Sequence, residues 1–475
     1  MVQPLPGSFR DPSGRVYEEN GQIFRTVMES HAPDFEYVSS TGLLDSLVAG
    51  GLVLPFQQVE RGILGSFSEG AQYVLHAPKL PFISFPYEWS FSALKAAALL
   101  HLTIQLAALD RSVTLSDASA YNVQFQGPHP VFIDHLSFRR YKPGEIWVGH
   151  RQFCEQFLVP LLLRDFFGLS HSHWYRGALE GVTAEELRRL LKWRHYLSWN
   201  VLTHVVMPSV FQRTALPLEV EKIKSDGYLP LASFRRMLQK LQAWISKLDP
   251  ADSRKTVWRD YAKVNSYYPE EVKIKRQFVG DFCSHAKPKL LWDLGCNTGD
   301  YSKVALETGA SYVVGFDFDQ GALDLGFARA REENLAFQTL YMDAANPTPS
   351  QGWMEMERPS LRARASADGV LALAFLHHLV IARNIHFGQL LDWIVDLAPT
   401  GVIEFVPKSD PMVKRLLCSR EDIFPDYCRE FFFSHLAKRC EIIKTVSLEP
   451  SGRVLAWYQR VNMGAWRIRA IKKTK

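Results

Sequence analysis

The 475-residue sequence contains little of what defines several common protein classes. Its six cysteines lie far apart without a CxxC pair, so we predict neither a metal site nor a disulfide framework. It also lacks an unbroken apolar run of about 20 residues, the length that a bilayer span needs. The strongest apolar stretch, residues 157–169, is interrupted by Pro160, Arg164 and Asp165. We therefore expect a buried helix there and no membrane span.

Positive charge is neither large nor concentrated, since the formal net charge is +5 over the whole chain. Nucleic-acid binding needs clustered cations that neutralise phosphates, so no nucleic-acid partner is expected. The one basic cluster is the tail at 467–475, which predicts either a solvated end or a contact with an acidic partner. No basic segment followed by an apolar core opens the chain, and this predicts a cytoplasmic protein without an export signal.

What the sequence does contain is a globular composition, with 47% hydrophobic and 22% charged residues, at a length that suits two or three domains. A polar, proline-containing segment at 248–253 divides it. We predict a mainly helical α+β domain over 1–250 and a second domain over 251–475 with its core at 288–461. In the second half, apolar strand-like runs alternate with helical segments, which indicates a doubly wound, mostly parallel sheet. The predicted strands are 290–293, 312–317, 337–343, 370–376 and 402–406, followed by a hairpin of 441–447 and 453–459.

The most informative stretch is 290–302, LLWDLGCNTGDYS, in which a strand ends at Asp293 and a glycine-containing turn opens a helix. Gly295 and Gly299 allow a sharp turn and close approach of a ligand. The GxxxG spacing differs from the GxGxxG of dinucleotide sites, and a carboxylate beside it would repel a pyrophosphate. Asp293 suits a cationic amino group instead, and Asn297 adds a polar contact. The alternative is a tight strand-to-helix turn without a ligand.

Two further carboxylates end the next two strands. Asp317 closes VVGFD and is placed to accept hydrogen bonds from two ribose hydroxyls. Its alternative role is helix capping, although Asp319 is the better placed cap. Asp343 closes LYMD and is placed to receive an adenine amino group, with a loop-entry aspartate as the alternative. Open α/β sheets bind ligands at the carboxyl ends of their strands, so the three carboxylates predict one site.

With these residues the second half resembles the class I S-adenosylmethionine-dependent methyltransferases. The resemblance implies S-adenosylmethionine as cofactor and a seven-stranded sheet with a C-terminal hairpin. It also implies that Asp293, Gly295 and Gly299 line the methionine end, that Asp317 holds the ribose, and that Asp343 meets the adenine. Three stretches resemble the nodulation-protein-like methyltransferases more narrowly, and this implies a small-molecule or glycan-related acceptor. They are 293–302, 375–379 (FLHHL), and 404–408 together with 419–425.

Methyl transfer depends mainly on alignment, but an oxygen or nitrogen acceptor can require a general base. We predict His377 as this catalytic residue, since it follows the fourth strand, and rank His378 behind it; side-chain packing is the alternative for both. Glu404 is predicted to be a satisfied buried carboxylate. The aromatic and basic segment 258–278 is either a lid over the cofactor or a packing helix. An Asn/Asp-Pro-Pro-aromatic motif is absent after Leu376, which disfavours an amide or base-nitrogen acceptor.

The first half contains a strong apolar helix at 94–109, followed by Asp117, Asn122 and Asp134. The spacing resembles the catalytic loop and metal-binding aspartate of kinase-like folds, and implies ATP and magnesium at this half. The departures are the lack of His-Arg before Asp117, of glycine after Asp134, and of an assignable phosphate-binding lysine. The only glycine-loop candidate, 61–67, fits poorly. A turn built on Asp and Asn is the alternative, as is a half that recognises the acceptor or a partner. A third reading of the whole chain is a non-catalytic S-adenosylmethionine-binding module.

Overall fold

The computed structural model describes residues 2–214, 228–252, 268–418 and 420–461. It divides into two compact units. The first comprises the chain up to Lys255 together with Ser350–Arg358, and the second comprises the remaining residues. The basic tail at 467–475 and the first ten residues of the predicted lid segment, 258–267, lie outside the described residues.

The first unit begins with a five-stranded antiparallel sheet in the order β1-β2-β3-β5-β4. Two pairs of short antiparallel strands follow it, β6 with β9 and β7 with β8. The strands are β1 (Gln3–Pro4), β2 (Val16–Glu19), β3 (Gln22–Met28), β4 (Gln57–Val59), β5 (Ala71–Ala77), β6 (Val113–Leu115), β7 (Val123–Gln126), β8 (His129–Phe132) and β9 (Phe138–Arg140). This sheet makes the first 80 residues richer in strand than the sequence indicated.

Helices supply most of the rest of the first unit. They are α1 (Ala32–Ser40), α2 (Leu43–Ala49), α3 (Phe91–Leu109), α4 (His150–Phe153), α5 (Val159–Phe167), α6 (Ser172–Gly177), α7 (Ala184–Leu190), α8 (Trp199–Val201), α9 (Met207–Thr214) and α10 (Leu231–Ile245). Five-residue π-helical segments join α4 to α5 and α8 to α9.

The helix α3 is the predicted apolar helix. The Ser90 side chain caps its first turn by accepting a hydrogen bond from the Ala93 amide. Its length and composition would also suit a membrane span, and among the described helices it alone meets that test. However, 67% of its most apolar 18-residue window is buried inside the protein. A helix that is apolar on all sides and enclosed by its own chain is a core helix.

The second unit is built on a seven-stranded sheet in the order β12-β11-β10-β13-β14-β16-β15. Six strands run in the same direction, while β16 runs antiparallel between β14 and β15. The strands are β10 (Leu291–Leu294), β11 (Val313–Asp317), β12 (Phe337–Tyr341), β13 (Gly369–Ala372), β14 (Thr400–Phe405), β15 (Cys440–Leu448) and β16 (Arg453–Arg460). The chain order reverses direction at β10, and open sheets bind ligands in the crevice at such a point.

Among the residues that the structure describes, seven α-helices accompany this sheet. They are α11 (Pro269–Ala286), α12 (Asp300–Thr308), α13 (Gln320–Glu332), α14 (Leu376–Arg383), α15 (Phe387–Leu397), α16 (Pro411–Leu417) and α17 (Arg429–Leu436). Phe282 of α11 and Leu323 of α13 pack in one core with the strand residues Val313, Leu371 and Val402. As predicted, Asp319 caps α13, accepting hydrogen bonds from two amides of its first turn. The part of the lid segment that is described belongs to α11, a packing helix.

The second-half strands begin and end within four residues of their predicted positions. The largest difference is at the predicted strand 370–376, which ends at Ala372, four residues earlier than predicted. It ends there because Ala374 adopts a positive φ of 50° and α14 begins at Leu376. Residues 376–378, which include both candidate histidines, therefore lie in a helix and not at the end of a strand.

Candidate active site

The turn after β10 is shaped by residues with positive φ. Gly295 has φ 76°, Asn297 has φ 50° and Gly299 has φ 84°. A side chain at Gly299 would be impossible without rearrangement, since a Cβ there would lie 2.3 Å from the Phe337 ring. Gly299 also serves as the N-cap of α12. The predicted sharp strand-to-helix turn is therefore present.

Asp293 is buried at the end of β10, 2% exposed, and accepts a 2.6 Å hydrogen bond from the Ser302 hydroxyl of α12. Burial raises the pKa of this carboxyl to about 6. A buried carboxylate with one fixed hydrogen bond favours a cationic or hydrogen-bond-donating neighbour.

Asp317, at the end of β11, holds the turn in place. One carboxylate oxygen accepts a hydrogen bond from the Asn297 amide at 2.8 Å, and the other accepts one from the Asp319 amide at 2.9 Å. Burial raises its pKa to about 6 as well. The Phe318 amide makes a third backbone contact with this carboxylate. A carboxylate has about four acceptor sites, so capacity for a ligand remains.

Asp343 follows β12 and organises its own loop by accepting a hydrogen bond from the Ala345 amide at 3.0 Å. Its second oxygen lies 3.6 Å from the Arg383 guanidinium at the end of α14. The loop-entry role and a ligand role are therefore compatible at this residue.

These carboxylates share one cavity of about 350 Å³, within the size range of small-molecule sites. Of the predicted residues, Asp293, Gly295, Asn297, Asp317 and Asp343 line it, whereas Gly299 does not and acts through the turn. The rest of the wall is largely apolar and aromatic, and includes Cys296, Tyr301, Phe316, Phe318, Met342, Leu373, Phe375, Leu379 and Leu416.

The structure reverses the predicted order of the two histidines. His377 is fully buried and is not among the residues that line the cavity, and neither of its ring nitrogens has a hydrogen-bond partner in the described part of the chain. His378 lines the cavity instead. Because α14 begins at Leu376, successive residues turn by about 100°, and the first histidine enters the protein interior. Burial lowers the pKa of His378 to about 4, so its imidazole is neutral at pH 7.

Lys275 of α11 reaches the cavity wall from an element that precedes the sheet. Its ammonium group donates a 2.6 Å hydrogen bond to Glu404 of β14 and lies 4.7 Å from the centre of the Tyr301 ring. Both Lys275 and Glu404 are at most 1% exposed. Burial lowers the pKa of Lys275, against the opposing effect of Glu404.

Glu404 is the satisfied buried carboxylate that the sequence indicated. It also accepts hydrogen bonds from the Ala374 amide at 2.7 Å and from Arg453 of β16 at 3.4 Å. Arg453 in turn binds Asp410, the N-cap of α16, at 2.8 Å. Burial alone would raise the pKa of Glu404, but the Lys275 and Arg453 cations keep it below its ordinary value.

The kinase-like residues of the first unit also lie together. The Asn122 amide donates to both Asp117 oxygens at 3.2 Å, and the Ser137 hydroxyl lies 2.9 Å from Asp117 and 2.8 Å from Asp134. Arg25 of β3 pairs with Asp134 at 2.8 Å. Burial, and next to it the Asp134 charge, raise the pKa of Asp117 to about 6. The glycine-loop candidate, residues 61–67, lies in Arg61–Ser68, where a kink at Gly65 separates short 3₁₀-helical turns between β4 and β5.

Six parallel strands and one antiparallel hairpin strand, with carboxylates at three adjacent strand ends, define the second unit as a class I S-adenosylmethionine-dependent methyltransferase fold. No family model matches the chain. It is 46% identical over 461 residues to the nodulation protein NoeA of Rhizobium meliloti (strain 1021), covering 96% of each protein. The chain belongs to the NoeA family of nodulation proteins, which confirms the narrower resemblance.

Solved structures resemble about two fifths of the chain. They include WbdD, at 18% identity and a TM-score of 0.28 over 42% of each chain. Magnesium protoporphyrin IX methyltransferase of Synechocystis PCC 6803 with bound SAM matches at 17% identity and a TM-score of 0.29, over 43% of this chain and 89% of that one. The N-methyltransferase NodS of Bradyrhizobium japonicum WM9 matches at 10% and 0.30, over 41% and 98%. Since these scores are low, the assignment of fold depends on the strand order.

Among the cavity-lining residues that the sequence did not assign to the site, the two cations are Lys275 and Arg383. A local signal existed for Arg383, which lies at the end of a helix that follows a strand. For Lys275 the signal was the alternation of basic and aromatic residues upstream of the sheet, but nothing in that pattern identified which lysine is buried.

We predict that Glu404→Gln lowers the free energy of unfolding of the second unit by about 3–5 kcal/mol, because it leaves Lys275 and Arg453 buried with one carboxylate fewer. Urea denaturation followed by circular dichroism measures the effect. Asp281→Asn is the matched control. It removes an exposed carboxylate that pairs with Lys444 at 2.7 Å, and should cost no more than about 1 kcal/mol. Equal midpoints for the two variants would contradict the structural role assigned to Glu404.

Proposed function

We propose that this protein transfers a methyl group from S-adenosylmethionine to a small-molecule or glycan-related acceptor. The proposal rests on one observation: Asp293, Asp317 and Asp343, at the ends of three adjacent strands, line the same cavity. The residues present fit the cofactor in size and in chemistry. The cavity has room for a molecule of that class, and its buried carboxylates have the charge and acceptor groups that an amino acid and a ribose require.

In this proposal Asp293 pairs with the amino group of the methionine moiety. Asp317 accepts hydrogen bonds from the ribose hydroxyls while it continues to hold the Asn297 amide. Asp343 receives the adenine amino group, and Phe318, which is 52% exposed at the cavity, offers a face for stacking. Lys275 offers a cation for the methionine carboxylate, at the cost of sharing its contact with Glu404.

When bound, the sulfonium supplies an electrophilic methyl group for in-line displacement. The protein's part is to align the acceptor and to exclude water, for which Leu373, Phe375 and Leu379 provide apolar walls. His378 is placed to accept a proton from the acceptor, because its imidazole is neutral at pH 7 and lines the same cavity. The low pKa makes it a weak base, which suits an acceptor that loses its proton late.

The first prediction from the proposed function concerns the methionine end. Asp293→Asn should weaken S-adenosylmethionine binding by roughly tenfold to a hundredfold, since hydrogen bonds to charged groups contribute about 1.5–3 kcal/mol. Isothermal titration calorimetry on the full chain measures this change, with Asp281→Asn as a control of unchanged affinity. Undiminished binding by Asp293→Asn would remove the proposed site, whereas binding without any transfer to candidate acceptors would favour the non-catalytic binding module.

The second prediction concerns pH. Asp293 and Asp317 have pKa values of about 6 because burial disfavours their charged forms. A cationic ligand binds the ionised form, so affinity should rise from pH 5 to about 7 and then level off. Calorimetric titrations across this range measure the slope. Asp293→Asn removes one titrating group and should flatten the profile. A wild-type affinity that is constant or highest at pH 5 would contradict the assignment.

A second candidate function is magnesium-dependent nucleotide binding by the first unit. The meeting of Asp117, Asn122 and Asp134 favours it, since carboxylate and amide oxygens are ligands for magnesium. Asp117 would then position a hydroxyl. The strand pairs β6–β9 and β7–β8 flank these residues.

For this function we predict that the full chain binds ATP only with Mg²⁺ and that Asp134→Ala abolishes the binding. Calorimetry with and without Mg²⁺ measures both effects. Asp281→Asn again serves as the control, with wild-type binding expected. If the unmodified chain gives no heat of binding with ATP and Mg²⁺, this second function is wrong regardless of how the variant behaves.

A further inference from the structure

A cluster of sulfur and nitrogen ligand atoms lies in the first unit, and its members belong to neither of the sites described above. His150, Cys154 and His204 bring one thiol sulfur and two ring nitrogens within 4.8 Å of one another. The His150 Nε2 atom lies 2.9 Å from His204 Nδ1 and 3.6 Å from Cys154 Sγ. Within the described part of the chain, this is the one group of three or more such residues with metal-binding geometry.

The backbone is unusual at the same place. His150 is the first residue of α4, and Cys154 follows one turn later on the same face, where it begins a π-helical segment, Cys154–Leu158. His204 lies in a second π-helical segment, Leu202–Val206. These two are the π-helical segments among the described residues, and each contributes a member of the cluster. Single π-helical turns inside α-helices occur frequently at functional sites.

The surroundings are dry and aromatic. Cys154 is 2% exposed and His204 is 3% exposed. The Trp147 ring packs edge-on against His150 at 5.5 Å, and the Trp244 ring stacks with His204 at 6.3 Å. Arg151 and Glu155, the charged neighbours on the helix, pair with each other. The donor atoms are therefore presented to one another and not to bulk water.

We propose that His150, Cys154 and His204 bind a zinc ion, with a fourth position for water or another small ligand. A thiolate with imidazoles is a donor set that zinc takes, and three protein ligands are the number found in sites that keep an open position. With bond lengths of about 2.1 Å to nitrogen and 2.3 Å to sulfur, a tetrahedral ion places N and S about 3.6 Å apart. The Cys154–His150 distance already has this value. The two imidazoles need to separate by about half an ångström.

The bonds and protons that change when zinc binds can be accounted for in full. Zn²⁺ forms bonds to two neutral imidazole nitrogens and to the Cys154 sulfur, and the thiol proton is released to solvent. The hydrogen bond between the two imidazoles is broken in exchange, and the proton that it used moves to the other nitrogen of the same ring, so that both facing nitrogens bind the ion. The competing description, a histidine pair joined only by that hydrogen bond beside a buried thiol, requires no metal and binds none.

The test uses the full chain without a histidine tag, stripped with a chelator, reloaded with Zn²⁺ or Co²⁺ and desalted. Elemental analysis should find about one equivalent of metal per chain, and Co²⁺ should give a thiolate-to-cobalt charge-transfer band. Cys154→Ser should remove that band, and His204→Ala should weaken zinc binding by at least tenfold. Cys283→Ser, at another buried cysteine in the second unit, is the matched control and should retain metal and band.

Two outcomes overturn the proposal. One is a reloaded wild-type chain that holds no stoichiometric metal, a measurement that does not depend on whether any variant folds. The other is a Co²⁺ spectrum without a thiolate band, or with a band that persists in Cys154→Ser. Loss of the band in Cys154→Ser with an unchanged circular dichroism spectrum supports it.

Discussion

The second unit depends on a chain of four buried charges, Lys275–Glu404–Arg453–Asp410. These charges connect α11, two neighbouring strands of opposite direction and the first turn of α16. Removing four charges from water is expensive, and their mutual attraction offsets that cost only if every partner is in place. The arrangement therefore specifies how the hairpin strand β16 enters the sheet. It also holds Lys275 at the wall of the cavity, so the framework and the site share a residue.

The three strand-end carboxylates are also held in place by hydrogen bonds within the protein. Asp317 holds the turn through two backbone amides, Asp293 is fixed by Ser302, and Asp343 folds its own loop. Each group thus has a structural partner and also lines the cavity. Burial disfavours the charged forms of Asp293 and Asp317. Because screening by water is weak at a buried site, a cationic ligand interacts more strongly with these carboxylates than it would at a solvated surface. The site is organised before any ligand arrives.

The sequence predicted the parallel strands, the glycine turn and the strand-end carboxylates because those signals are local. A strand, a turn and a helix cap each occupy a few consecutive residues. The sequence could not rank His377 against His378, because the answer depends on the residue at which α14 begins. Nor could it identify the partners of Glu404, which come from elements far apart in the chain. The His150, Cys154 and His204 cluster escaped for the same reason, since its third member lies on another helix.

In the first unit, the acidic cluster of Asp117 and Asp134 is already paired with a cation, and this affects whether it can bind a metal ion. Arg25 pairs with one oxygen of Asp134, and Ser137 contacts the other. A guanidinium remains charged at every accessible pH, so a divalent ion at Asp134 has to displace it or share the carboxylate with it. The released guanidinium would then be near the phosphates that accompany the ion. In a kinase-like site a lysine contacts the phosphates. Here the cation next to Asp134 is Arg25 of β3. Nucleotide binding in this unit would therefore be coupled to the exchange of one buried ion pair for another.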